Sequence, residues 1–374
     1  MVGGREFYGD DFDGPDIAPF VGSNNTFLNL PFVKTPEELK KVNPDVVIIG
    51  EPCDFGTTIR PGARYGPRAI RAASTIPSPP IQRFNIETGI DPFETFGVVD
   101  YGDTIVVPGD LIKSHNNMTL KVKEALEADG IPVILGGDHS VTYANVRAFQ
   151  KKWKNIGMIH FDTHADCAPQ GLTGFKYDHG AHIRRIMEMG CLKGKNYSLV
   201  GPRGYWPGRD LYKWMADQDF QWFTMLDVEE QGIDIIAKEI ADRANDGTDA
   251  VYLSWDIDSF DPAVAPGTGE PEPNGLTSRE GMRMVRQLSK SFDPDRFAMD
   301  LVEIAPAYDV SDNNSYNGGI TSGLGQRLVI ELLAGLSLTK RGLKEGDPVR
   351  PHNYKGTGNT LGYGNPDYEI PKRD

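Results

Sequence analysis

The stretch Met158–Cys167, MIHFDTHADC, sets Asp162, His164 and Asp166 at alternate positions behind a short apolar run. Residues two apart along a strand share a side. Three unpaired polar groups packed together there cost several kcal/mol unless something bound between them offsets their desolvation. A metal ion is the simplest such object. Two further stretches offer ligands of the same kind. In VILGGDHS, residues 133–140, an apolar run ends on Asp138 and His139. In AVYLSWDIDSFDP, residues 250–262, another ends on Asp256 and Asp258, again two apart.

Outward from these motifs, apolar or β-branched runs at 46–49, 131–135, 156–161, 198–200, 250–254 and 297–302 read as strands. Segments 116–130, 142–153, 233–247 and 278–292 carry apolar residues at helical spacing, and a last helix is expected over about 315–338. This alternation predicts an α/β fold, a three-layer α/β/α sandwich with a mainly parallel sheet. Functional groups in such sheets gather where strands end and loops begin. Residues 1–43 are expected to be an irregular N-terminal extension, 44–340 a single domain, and 341–374 an irregular tail.

The 374 residues are 39% hydrophobic and 25% charged, ordinary for a globular protein, and the net charge is −14. That charge argues against nucleic acid and anionic membrane surfaces as partners and suits a small cationic substrate. No apolar run has the length of a membrane span, the N-terminus is too acidic for a signal peptide, and three cysteines make no disulfide framework. A cytoplasmic location is the expectation.

Any one of the three motifs alone could be turn or capping chemistry. Together they bring four aspartates and two histidines, His139, Asp162, His164, Asp166, Asp256 and Asp258, to one region. That is too many for a structural zinc, and the oxygen-rich set suits two harder divalent ions such as Mn²⁺. Four aspartates and two such ions balance in charge. Paired ions lower the pKa of a shared water, so the chemistry implied is metal-assisted hydrolysis.

GGDHS, HFDTHAD and SWDIDSFDPAVAPGTGEPEPNGLTSRE resemble the three signature motifs of the ureohydrolases, the arginase/agmatinase family. The resemblance covers about residues 44–338, which makes 44–340 a ureohydrolase catalytic domain, and includes GTTIRPGARYGPRAIR at 56–71. It implies two manganese ions, with nickel as the alternative, and a homotrimer or homohexamer. A hetero-oligomer with a homologous subunit is a further possibility. The implied reaction is hydrolysis of a guanidino group to urea and an amine. Carried over residue by residue, it implies that His139, Asp162, Asp166 and Asp256 hold one ion and His164 and Asp258 the other, Asp162 and Asp256 bridging. Asp166 would orient the attacking hydroxide. Glu303, in DLVEIAP, would grip the guanidinium through paired hydrogen bonds. His179, in KYDHGAH, would bind near the substrate and pass a proton to the departing amine, as an imidazole titrating near neutrality can.

The remaining residues of note are read more plainly. His182 is expected to support the site, His115 and His352 to lie on the surface, and Cys167 to be a packing residue. The glycine-rich 56–71 loop lacks the ending of a phosphate-binding loop, so its arginines read as structural or interfacial. The motifs are most similar to those of agmatinases, which implies agmatine as substrate and putrescine and urea as products. EPEPNG departs from the family's Thr-Pro-Glu-Pro-Gly-Gly, placing Glu270 near the guanidinium site unless it faces solvent. A second carboxylate there would favour extra positive charge or extra N–H donors. Free guanidine and a biguanide such as metformin are therefore alternatives. Guanidinobutyrate is weaker, since Glu270 would repel its carboxylate. Trp255, where a small aliphatic is expected, should face away from the metals and pack beneath a helix. A deacetylase-like hydrolase with one zinc does not need the full six-residue set, and a non-catalytic subunit would not keep it intact.

Overall fold

Val46–Gly50 reads VVIIG, and its side chains divide strictly by parity. Val46 and Ile48 join one buried core, Val47 and Ile49 a second. A strand that is apolar on both sides needs both faces covered, which parallel sheets with crossover helices provide. The computed structural model describes residues 26–74, 84, 85, 87–172, 174–205, 208–310 and 319–343. Within them eight strands form one sheet: β1 Val46–Gly50, β2 Val98–Asp103, β3 Ile131–Leu135, β4 Ile156–Phe161, β5 Leu192–Val200, β6 Gln221–Phe223, β7 Ala250–Asp256 and β8 Phe297–Val302. Their order is β2-β1-β3-β8-β7-β4-β5-β6, and every pairing is parallel.

One face of the sheet packs on helices Ile233–Asn245, Ser278–Ser289 and Ile320–Arg341, through Ile236, Ile240, Met284, Leu288, Leu328 and Leu332. The other packs on Leu111–Glu127, Val141–Lys152 and His182–Glu188, through Val122, Leu126, Val146, Phe149 and Ile183. The molecule is the three-layer α/β/α sandwich expected. Among the described residues no helix is long and apolar enough to cross a membrane.

Several expectations need correction. The segment preceding residue 44 is not irregular throughout its described part. It forms helix Pro36–Val42, started by Thr35, whose side chain accepts from the Glu38 N–H, and by proline in the first turn. Strands β2 and β6 were not anticipated, and β5 begins at Leu192, well before 198. The last helix begins at Ile320; residues 311–318 lie outside the described set, as do His352, residues 1–25 and residues 344–374. His115 is not on the surface. It is buried between helices, its Nε2 3.1 Å from Ser140 Oγ, and burial pushes its pKa down to about 3. Trp255 is as expected: it is fully buried, stacked on Phe161 at 3.9 Å, on the face that holds helices Ile233–Asn245 and Ser278–Ser289.

The turn after β3 shows why GGDHS carries two glycines. The Asp138 N–H donates to Cys53 O at 2.8 Å, and a Cβ on Gly137 would lie 1.8 Å from that oxygen. Backbone cannot yield as a side chain can, so Gly137→Ala is expected to destabilise the fold by more than about 2 kcal/mol. Chemical denaturation with unchanged stability in that variant would refute this account of the turn.

Candidate metal centre and active site

Four neighbouring strands in the middle of the sheet, β3, β8, β7 and β4, deliver the site from their C-terminal ends. His139 follows β3, Glu303 follows β8, Asp256 ends β7 with Asp258 just beyond, and Asp162, His164 and Asp166 follow β4. Pairings Leu135↔Leu301, Asp256↔Val302 and Phe161↔Trp255 keep these ends level. Asp166 and Glu303 both have positive φ, 44° and 63°. Non-glycine residues take this conformation at a cost and often where a function holds them there.

The structure brings all six predicted ligands together, in three overlapping groups. His139 joins Asp162 and Asp256 in one, His164 joins Asp162 and Asp258 in a second, and Asp166 stands with His139, His160 and His182 in a third. His139 Nδ1 lies 3.1 Å from Asp162 Oδ2, 3.0 Å from Asp256 Oδ2 and 3.3 Å from Asp166 Oδ2. His164 Nδ1 lies 3.1 Å from Asp258 Oδ2 and 3.4 Å from Asp162 Oδ1. Neighbouring ligands about 2.1 Å from a small octahedral ion stand about 3.0 Å apart, so these spacings match a shared ion.

The ring of His139 is oriented for that role. Ser254 Oγ donates to Asp300 Oδ1 at 2.7 Å and therefore accepts from His139 Nε2 at 2.9 Å. The proton then sits on Nε2 and the Nδ1 lone pair faces three carboxylates, without a hydrogen bond of acceptable geometry. A lone pair among carboxylates calls for a cation. The acids show the same need: burial first, then neighbouring carboxylates, push Asp166 to about 7, Asp258 to about 6, and Asp256 well above the usual range. Burial opposes charge on His139 and His164, but the aspartates around them outweigh it and raise both, so in the metal-free chain a second proton on Nδ1 takes the place that a metal ion would fill. The residues present fit divalent ions.

Around the ligands, His160 Nε2 contacts Asp162 Oδ2 at 2.9 Å, and its Nδ1 meets Tyr197 OH at 2.7 Å. His182 stacks on His139 with centroids 4.0 Å apart, and its Nδ1 lies 2.8 Å from His179 O. Cys167 is buried in the core on that side of the sheet. Of the loop arginines, Arg60 reaches the cavity wall, and two others are spent on the fold. Arg71 pairs with Asp100 and Asp103, and Arg64 with Asp54. His160, Ser254, Asp300 and Thr58 were not singled out from the sequence. For His160 the signal was present, since it continues the alternation of Asp162, His164 and Asp166.

A cavity of about 710 Å³ opens over the cluster, lined by His164, Asp166, Asp256 and Asp258 below and by Thr58, Arg60, Asp178, His179, Glu270, Glu272 and Glu303 around it. His179 stands between two acids, its Nδ1 3.0 Å from Glu303 Oε1 and its Nε2 3.5 Å from Glu270 Oε1. Glu303 Oε1 also accepts the His139 N–H at 2.8 Å, tying this carboxylate to a ligand. Glu270 faces the cluster, with Oε2 3.9 Å from His164 Nε2.

The sequence profile of the arginase family matches residues 44–335. The chain belongs to the arginase family. This arginase-family chain is 34% identical over 320 residues to the guanidinobutyrase of Pseudomonas aeruginosa, covering 86% of this chain and 94% of that protein. It is 35% identical over 325 residues to the mitochondrial agmatinase of Gallus gallus, covering 86% of this chain and 89% of that one. The proclavaminate amidinohydrolase of Streptomyces clavuligerus superposes with a TM-score of 0.75 at 32% identity, over 86% of this chain and 100% of that one. The protein is a hydrolase acting on guanidino carbon–nitrogen bonds.

The raised acids set a pH dependence for the metal-free chain. Asp166 and Asp258 bind protons more tightly folded than unfolded, so their contribution to stability is present at low pH and fades as pH rises through about 6 to 7. Asp256, His139 and His164, also raised, act in the same direction; the buried His115, His160 and His182, lowered by burial, act against it over the same interval and are outnumbered. The stripped protein should therefore melt higher at about pH 5 than at about pH 8, and a divalent ion should restore the difference at the higher pH. A melting temperature of the stripped chain that rises over this interval would contradict the reading.

Proposed function

We propose that this enzyme hydrolyses agmatine to putrescine and urea, using two manganese ions held by His139, Asp162, His164, Asp166, Asp256 and Asp258, with nickel as the alternative. The observation that carries the choice of substrate is the charge of the cavity wall. Asp178, Glu270, Glu272 and Glu303 line it, and among the described lining residues Arg60 is the one arginine or lysine. Arg60 is turned to main-chain carbonyls, Nε donating to Gly269 O at 2.7 Å and Nη2 to Thr268 O at 3.0 Å. A dication is attracted to such a wall, whereas the carboxylate of a guanidino acid is repelled.

Two divalent ions held by these six residues would lower the pKa of a shared water and so make it a nucleophile at neutral pH. The chain's own residues do the rest. Glu303 presents a carboxylate to the planar guanidinium, where two parallel hydrogen bonds fix both charge and orientation. Asp166 orients the attacking oxygen over the cluster. His179 holds the proton that the departing amine needs. Burial alone would lower its pKa, but Glu303 first, then Asp166 and Glu270, outweigh it and raise it to about 10. The Thr58 N–H, 3.2 Å from Nε2, favours the neutral ring, and the shorter charged contact with Glu303 prevails. Glu270 adds a second acid beside the guanidinium. Its approach to His164 and His179 also favours a second reading, in which the substrate is free guanidine or a biguanide with N–H donors on both sides. Residues 44–340 as the catalytic unit, a homotrimer or homohexamer, and a cytoplasmic location complete the proposal; the family match over 44–335 supports the first of these.

Urea release from agmatine, guanidine, guanidinobutyrate, arginine and metformin, after stripping and reloading with Mn²⁺ or Ni²⁺, tests the substrate. Agmatine should turn over fastest, and faster turnover of guanidinobutyrate would overturn the reading. Asp256→Asn should abolish turnover. Glu270→Gln should raise KM for agmatine roughly tenfold, the worth of one charged hydrogen bond. The same change removes an acid that favours the His179 cation, so the alkaline limb of kcat/KM should move to lower pH. An unmoved limb would remove Glu270 from the site.

A further inference from the structure

Arg203 lies just beyond β5, outside the predicted set, and among the described residues its guanidinium bonds go to main-chain carbonyls alone. Nη2 donates to Asp258 O at 2.8 Å, Phe260 O at 3.1 Å and Glu272 O at 2.6 Å. Nε donates to Pro273 O at 2.9 Å and Glu272 O at 3.2 Å, and Nη1 to Gly201 O at 3.1 Å and Ser259 O at 3.3 Å. One rigid planar fork therefore spans two separate segments. The first is the turn that carries the ligand Asp258. The second is the loop that carries Glu270, two residues before Glu272. Asp261 fastens the same loop from its far end, its Oδ2 accepting from Asn274 N at 2.8 Å and Gly275 N at 3.2 Å. Gly275 permits the approach, since a Cβ there would lie 2.6 Å from Arg203 Nη2 and 2.4 Å from the Phe260 carbonyl carbon.

We propose that Arg203 is a positioning residue that holds the substrate-facing loop at 269–276 to the Asp258 turn, so that Glu270 and the His164–Asp258 ligand pair keep one fixed relation. The inference rests on Glu270 and these ligands acting as proposed above. Lysine cannot replace this function, because a single ammonium lacks the fork that reaches carbonyls on both segments at once.

The test uses the full chain loaded with Mn²⁺, comparing it with Arg203→Met and Arg203→Lys. Hydrogen exchange at the Asn274, Gly275 and Leu276 amides should accelerate roughly tenfold in Arg203→Met, with exchange in helix Leu111–Glu127 unchanged. On dialysis the ions retained per chain should fall from two towards one. KM for agmatine should rise by a larger factor than kcat falls. Arg203→Lys should show the same changes at smaller size, and it is read alone if Arg203→Met does not fold. Wild-type exchange and ion content in Arg203→Lys overturns the proposal. So does uniform acceleration throughout the chain, which marks a residue important only for folding. Exchange and ion counts need no substrate, so they decide the matter even if agmatine proves not to be turned over.

Discussion

Asp162 is the point on which the site turns. One of its oxygens faces His139 and His160, the other His164, and it belongs to two of the three ligand groups. Three more aspartates crowd the same buried space. Such a concentration of acid is unfavourable in a low-dielectric interior unless positive charge is brought in, as protons or as metal ions. The rest of the architecture keeps that demand in place. The central strands fix where the acids stand, Ser254 and Asp300 fix which nitrogen of His139 is offered, and Glu303 is fastened to the His139 amide. The acids cannot spread apart to relieve their repulsion, so the site keeps its affinity for cations.

The cavity above continues the same electrostatic character. Its wall is acidic, and its arginine is absorbed by carbonyls of the loop that carries Glu270. A positively charged substrate thus meets an attractive field over the whole approach. His179 is held between two carboxylates, and it is their closeness that favours its cation. In the proposed reaction, substrate and proton donor therefore share their partners.

How much of this was legible in the sequence depends on how each element earns its burial. Strands β1, β3, β4, β7 and β8 were read correctly because both their faces are covered, leaving near-continuous apolar runs. β2 carries Asp100 inside, neutralised by Arg71, and so broke the pattern. β6 has only three residues at the sheet edge, too short for any period to show. The cap of helix Pro36–Val42 was visible as Thr35, Pro36 and Glu38, yet was outweighed by the loop-like composition around it. His115 belongs to a buried stripe with Leu111, Ser114, Met118 and Val122, a spacing that places it inward. In the site, alternation exposed the aspartates and His164. Glu303 and His179 came through family resemblance, since a lone acid or histidine at an element end has many ordinary uses. Arg203 left no trace at all, because what it recognises is backbone, which every residue has.

The sharing of the centre among four strands has a consequence for how the protein comes into being. Ligands run from residue 139 to residue 258, and β8, which lies between β3 and β7 in the sheet, begins only at 297. During synthesis from the N-terminus, His139 emerges long before β8, the strand that stands between it and Asp256, whereas Asp162 and His164 follow β4, which pairs directly with β7. The group of His139, Asp162 and Asp256 is therefore complete only once β8 has entered the sheet, whereas that of Asp162, His164 and Asp258 needs only β4 and β7.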